Sequence, residues 1–294
     1  MPKSQIVIPA RLNSTRLPRK MLLDATGKSL LQHTYEGASQ AIKPAGVTIA
    51  TDHLEIAAEV ARFGGQCVMT SPDCVSGTDR VAEVARKMSD VDIFVNVQGD
   101  EPEMLGEDID AVIQLLEDNP SLPMATLATP IHDREQLTSP AFVKVVFDAK
   151  GRALYFSRSP IPAVRDWDDE LLVSDPPHFF QHLGIYAYRR DFLLSLASLP
   201  RCASEQLESL EQLRVLHHGH AIAVGVTHNV SIGIDTPEDY AAFVARRRAG
   251  CTLLICSRGR IRIVGVRRRR VFRRGADDRV RGRLRMRPGR LQRR

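Results

Sequence analysis

Four cations fall within ten residues, Arg11, Arg16, Arg19 and Lys20, with Ser14 and Thr15 between them. They follow the apolar run Ile6-Val7-Ile8, which stops at Pro9. Like charges this crowded repel one another unless they share an anion, and the loop's free backbone N–H groups add donors. The pattern points to a polyphosphate, with a solvated charged surface as the alternative. No glycine-rich Walker loop occurs anywhere to serve as another phosphate cradle.

The second group able to do chemistry is Gln98-Gly99-Asp100-Glu101-Pro102, again just after an apolar run, Ile93 to Val97. In open α/β sheets, ligands gather outside the carboxyl ends of the strands, so both loops are expected at one edge. Cations would hold phosphates and Asp100 a bridging metal, the arrangement of a magnesium nucleoside triphosphate. Gly99 is expected to permit close approach of the ligand; a plain turn residue is the other reading of Asp100. Three signals are weaker. Ser76-Gly77-Thr78-Asp79-Arg80 reads equally as a base-recognition loop and as a turn with a helix cap. In His182 to Tyr188 the two-residue period puts His182, Gly184, Tyr186 and Tyr188 on one strand face and Leu183, Ile185 and Ala187 on the other. A helical stretch from Ser204 to His217 would stripe Leu207, Leu210 and Leu213, with Glu208 and Glu211 beside them.

The elements that must position these groups alternate regularly in the first half. Helices predicted at 29–41, 54–63, 79–88 and 107–117 separate short apolar strands, which argues a parallel sheet with helices on both faces. After Pro120 the segments 124–129, 143–148 and 183–189 read as strands without regular helices between them, a mixed or antiparallel portion. Ile222 to Val226 is a further strand. Thr236-Pro237-Glu238-Asp239 then opens a last helix, with Thr as N-cap, Pro at the first position and Asp as capping-box partner.

Composition narrows the class. At 294 residues, 43% hydrophobic and 26% charged, the chain is an ordinary globular protein. No apolar run approaches a membrane span and no signal peptide precedes the first strand, so the cytoplasm is the expected address. Five cysteines without a CxxC pair suggest neither a disulfide framework nor a zinc site. The net charge of +6 is a sum of two unlike parts: residues 258–294 hold 17 Arg against 2 Asp, a net +15, which leaves −9 on the rest. All seven lysines lie upstream. Arginine without lysine reads as a GC-rich frame translated out of register, so residues 250–294 are expected to be a disordered or frame-shifted tail beyond an ordered domain of 1–249. A nucleic-acid-binding arm is the reading from a different class. An acidic body and a tail without interleaved aromatics argue against nucleic acid as the partner.

Taken together, IPARLNSTRLPRK, ATDH, SGTDR, VNVQGDEP, MATLATPI, VKVVFDAKGRALYFSRSPIP, HLGIYAYR, LEQLRVL and GIDTPEDY resemble, in order over about residues 5–245, the 3-deoxy-manno-octulosonate cytidylyltransferases, also called CMP-KDO synthetases. The more distant CMP-sialic acid synthetases resemble the first loop but not this full series, and they or another sugar-acid cytidylyltransferase are the alternative within the enzyme class. The resemblance implies a Rossmann-like nucleotidyltransferase fold with a mixed, mostly parallel sheet. It implies transfer of CMP from CTP to 3-deoxy-D-manno-octulosonate (KDO), magnesium as cofactor, a role in lipopolysaccharide biosynthesis and a homodimer. By the same resemblance Arg11 and Lys20 would hold the triphosphate, with Ser14 and Arg16 shaping the loop. Ser76, Gly77, Thr78 and Gln98 would contact the cytidine, and Asp100 and Asp235 the magnesium. Arg158, His182, Tyr186 and Glu211 would surround KDO, with Gln98 at the border. Lys20, Asp100 and Asp235 are the expected catalytic residues. One departure stands in the first loop: the family usually has glycine where this chain has Arg19.

Overall fold

The computed structural model describes residues 2–257 and 260–265. The chain opens with β1 (Ser4–Pro9), α1 (Leu30–Ala38), β2 (Val47–Thr51), α2 (Leu54–Arg62), β3 (Cys67–Met69), α3 (Gly77–Lys87), β4 (Ile93–Asn96) and α4 (Gly106–Asp118). It continues through β5 (Met124–Pro130), α5 (Arg134–Thr138), β6 (Lys144–Phe147), β7 (Ala153–Ser157), β8 (Phe180–Arg189), α6 (Arg190–Leu196), α7 (Ala203–Glu208), α8 (Gln212–His217), β9 (Ile222–Val226) and α9 (Pro237–Arg248). The backbones of β10 (Cys251–Ser257) and β11 (Arg260–Gly265) pair as a separate antiparallel ribbon. The rest of the arginine-rich tail, 266–294, and the disorder or frame shift expected of it lie outside the described residues.

The main sheet runs β3-β2-β1-β4-β8-β5-β9, with the β6–β7 hairpin joined to β8. The β3-β2-β1-β4 half is parallel, as the strand–helix alternation requires. β8 then enters antiparallel between β4 and β5. Strand alternation sorts the core. Ile6, Ile8, Val95 and Ile185 pack with Leu31, Ile56, Val112 and Leu116 of α1, α2 and α4 on one face. Val7, Phe94 and Tyr188 pack with Val81, Val84, Leu193 and Val215 of α3, α6 and α8 on the other.

Three local expectations change. Ser204 to His217 is two helices, α7 and α8, because Ser209 takes the left-handed conformation at φ 52° and breaks the ladder. Leu207 therefore leaves the expected apolar stripe and is 86% exposed, while Leu210 and Leu213 stay buried. The strand β7 and the helix α6 were not legible as separate elements. Gly99 admits the chain itself rather than a ligand: a Cβ there would lie 3.0 Å from both the Pro9 carbonyl oxygen and Met21 Cε. That contact brings the loop after β4 against the end of β1.

Two buried polar links brace the frame. Arg80 of α3 donates to Asp52 after β2 (2.9 Å) and to the Thr70 hydroxyl (2.8 Å), so the ATDH and SGTDR segments support one another. In the β5–β8 pairing the register shifts between Thr126 and Leu127, and the Thr126 hydroxyl reaches the Ile185 carbonyl at 2.7 Å. A hydroxyl has one proton, so Thr126 spends it there and accepts from Nε2 of His182, 3.1 Å away. This assigns the Nε2–H tautomer and leaves Nδ1 of His182 an acceptor.

Replacing Asp52 by Ala leaves the buried Arg80 guanidinium with Thr70 but without its counter-ion and should cost about 1–3 kcal/mol in urea unfolding. Burial holds His182 down at about 3 against an ordinary 6.5. The unfolded chain therefore gains a proton below 6.5 that the native state refuses, and stability falls as pH drops from 6.5 toward 3. His182→Gln should remove up to ~1.4 kcal/mol per pH unit from that slope, read as the difference between wild-type and variant urea midpoints at pH 7 and pH 5.

Candidate active site

Leu12 and Leu17 bury the two shoulders of the loop after β1, and Leu17 packs with Ile234 and Phe243 near α9. Pinned this way, the loop divides its cations. Arg11 opens onto a cleft of about 1180 Å³ and makes no ion pair among the described residues. Arg16 lines the same cleft and meets Asp235 at 2.9 Å. Arg19 does not share the anion site. Its backbone sits at φ 54°, the left-handed region that glycine occupies freely, and its side chain turns outward to pair with Glu55 of α2 (Nη1–Oε1 3.4 Å). The loop thus takes a turn suited to glycine with an arginine in place.

Lys20, in a short 3-10 turn Lys20–Leu22, is buried. Its Nζ donates to Asp100 Oδ2 (2.6 Å), Asp235 Oδ1 (3.0 Å) and the Ile234 carbonyl (3.1 Å). Burial alone would lower its pKa, but the two carboxylates outweigh it and the ammonium is held above its usual range. Asp235 is set in place by the start of α9: Asp239 accepts from the backbone N–H of both Asp235 (3.1 Å) and Thr236 (2.9 Å), the capping box expected there. The Asp100 carbonyl also accepts from Ile234 N–H at 2.9 Å, tying the two aspartate loops together.

Ser76, Gly77, Thr78 and Gln98 line the cleft beside Arg11. Ser76 serves as N-cap of α3, accepting from Asp79 N–H at 3.2 Å, which bears out the helix-cap reading of that segment, and the first turn of that helix lines the cleft. His182, Tyr186 and Glu211 belong to the same lining, and Thr78 Oγ1 donates directly to Glu211 Oε2 at 2.7 Å. Ser14 is half-buried and outside the wall. Arg158 is outside it too, its guanidinium donating to the carbonyls of Glu208 (2.7 Å) and Pro140 (3.0 Å).

Sequence reasoning passed over Glu101. It lines the cleft, accepts from Ser231 Oγ at 3.0 Å, and is pushed up to about 7 by burial, with Asp100 and Asp235 adding and Ser231 opposing. Its position in QGDEP was visible; its surroundings depend on β8 passing beneath it, which no local pattern shows. The wall also holds Asn96 Oδ1, Thr129 Oγ1 and Gln212 Nε2, buried without protein partners, as expected of a surface that ligand or water completes.

The cleft lining combines the cations Arg11 and Arg16, the first turn of α3, and the acceptors and aromatics of β8 and the start of α8; Lys20 and Asp100 lie outside that lining and are joined to it through Asp235. Comparisons with known proteins give the family. The cytidylyltransferase family profile matches residues 5–222. The 3-deoxy-manno-octulosonate cytidylyltransferase of Rhodopirellula baltica is 51% identical over 245 residues, covering 83% of this chain and 98% of the relative. That of Geobacter sulfurreducens is 48% identical over 237 residues, 79% and 94%. A solved CMP:2-keto-3-deoxy-manno-octonic acid synthetase complexed with CTP is 42% identical and superposes with a TM-score of 0.77 over 84% of this chain and 98% of that one. A 4-diphosphocytidyl-2C-methyl-D-erythritol synthase from Anaerococcus prevotii, at 14% identity and a TM-score of 0.56 over 84% and 96%, shares the fold alone. On these matches the chain belongs to the 3-deoxy-manno-octulosonate cytidylyltransferase family.

Proposed function

We propose that the protein transfers CMP from CTP to the anomeric hydroxyl of KDO, releasing diphosphate, with magnesium as cofactor, and so feeds lipopolysaccharide assembly in the cytoplasm. The observation that carries this reading is the Lys20 ammonium seated between Asp100 and Asp235 at the edge of a cleft that Arg11 and Arg16 line.

The residues present fit magnesium. Oxygens of Asp100 and Asp235 already converge on a single cation, at 2.6 and 3.0 Å. Among the described residues no group of three or more His, Cys, Asp or Glu could cage a metal. That suits an ion held by one or two carboxylates plus substrate phosphates. When bound it would neutralise phosphate charge and acidify the attacking hydroxyl.

The bond from the sugar oxygen to the α-phosphorus forms as the bond to the β-phosphate's bridging oxygen breaks, and charge builds on the leaving diphosphate. Arg11 stabilises that charge, Lys20 donates to it only by leaving one of Asp100, Asp235 and the Ile234 carbonyl, and Arg16 holds Asp235 in line with it. Ser76, Gly77, Thr78 and Gln98 orient the cytidine. His182, Tyr186 and Glu211 orient the sugar, so the chain's contribution is chiefly positioning. Arg158 reaches the sugar only by leaving the Pro140 and Glu208 carbonyls.

Catalysis is assigned to residues 1–249, and no role to the arginine-rich tail. Among the described residues no helix is long and apolar enough to cross a membrane. A homodimer fits the open edge of β7, which among the described residues pairs only with β6 and leaves Leu154 62% exposed and Tyr155 38% exposed.

Diphosphate release with CTP and KDO should exceed that with CTP and sialic acid and should require magnesium. Asp100→Ala should lower kcat by at least about 100-fold, and near wild-type turnover would end the assignment. Deleting residues 250–294 should leave turnover within about twofold. Lost transfer, or tail-dependent RNA binding that weakens with salt, would overturn the reading of the tail.

A further inference from the structure

Glu101 belongs by chain position to the metal-side loop, yet its carboxylate points toward the other half of the cleft. A Cβ built on Gly184 would lie 2.7 Å from Glu101 Oε1 and 3.7 Å from Gln98 Cγ. Both side chains therefore lie over the same bare patch of β8, between His182 and Tyr186, where a side chain at 184 would collide with them. The two oxygens have separate fates. Oε2 accepts from Ser231 Oγ at 3.0 Å, while Oε1 has no partner among the described residues. Ser231 precedes Asp235 by four residues, so this bond braces the loop carrying the second aspartate.

The neighbours decide which ligand group suits Oε1. Asp100 and Asp235 are already paired with Lys20 and Arg16, so Oε1 of Glu101 is an uncommitted acceptor beside them, and it suits a hydroxyl donor rather than a phosphate or another carboxylate. Nδ1 of His182, left an acceptor by the Thr126 bond, adds to the same preference. A lobe furnished with acceptors matches a polyhydroxylated ligand rather than the cytosine or the triphosphate. Resting on the KDO reading above, we propose that Glu101 is a sugar-binding and positioning residue: Oε1 accepts a hydroxyl of the sugar acid, while Oε2, through Ser231, holds the Asp235 loop against the occupied site.

Diphosphate release is measured for wild type, Glu101→Ala, Glu101→Gln and Ser231→Ala with each substrate varied in turn. Glu101→Ala should raise KM for KDO at least about tenfold and leave KM for CTP within about twofold. Glu101→Gln keeps an acceptor oxygen and should recover most of that loss. Ser231→Ala should raise the magnesium concentration needed for half-maximal rate more than it raises KM for KDO. The CTP-induced rise in melting temperature should persist in Glu101→Ala, showing an intact nucleotide half. An equal rise in both KM values, an unchanged KM for KDO, or failure of the Gln variant to recover would overturn the proposal while leaving the transferase reading standing. A wild-type protein inactive with KDO would overturn both.

Discussion

The site depends on one buried cation shared by two carboxylates that lie far apart in sequence. Lys20 ends the loop after β1, Asp100 follows β4 and Asp235 precedes α9. Without the ammonium, two aspartates facing a common point would repel, and the loops that carry them would separate. With it, they close into one wall, and the backbone bond from Ile234 to Asp100 fixes their spacing. The ion pair is half shielded from water, so it is screened less than a surface pair and sets geometry rather than merely adding charge. The capping box of α9, the packing of Leu17 and the close approach allowed by Gly99 all serve to hold these three residues in register.

The sheet explains why a second substrate can sit beside the first. Had β4 been followed by another parallel strand, its far side would carry a crossover helix. Instead β8 runs antiparallel between β4 and β5 and places Gly184 and Tyr186 next to the strand that leads to Gln98 and Asp100. The bulge at Thr126 lets His182 rotate into the wall with its hydrogen bond satisfied. One antiparallel strand thus turns a nucleotide edge into a two-part cleft.

Much of this was legible where local chemistry decides the outcome. Strand–helix alternation, the Thr236–Asp239 cap, and the meeting of the loops after β1 and β4 at one sheet edge all follow from short-range pattern and the geometry of open sheets. What escaped depended on contacts between distant segments. Arg19 looked like a fourth phosphate ligand because charge is visible in a sequence and a φ of 54° is not. Ser209 broke a helix whose periodicity looked continuous, since serine at a left-handed position leaves no compositional mark. The surroundings of Glu101 were hidden because they come from Gly184 of β8, 83 residues later, and the placement of Arg158 depends on two backbone carbonyls.

The hydrogen bond between Thr78 and Glu211 has a consequence for the order of events. It joins the first turn of α3 to the residue that opens α8, so these two parts of the cleft lining are not independent. A ligand that claims the Thr78 hydroxyl releases a carboxylate on the far side, and that carboxylate then becomes an acceptor for the next arrival. Reciprocity of linked binding requires the reverse as well: whatever engages Glu211 first loosens Thr78. A single bond thus couples two segments of the lining, and a ligand on either one frees a group on the other.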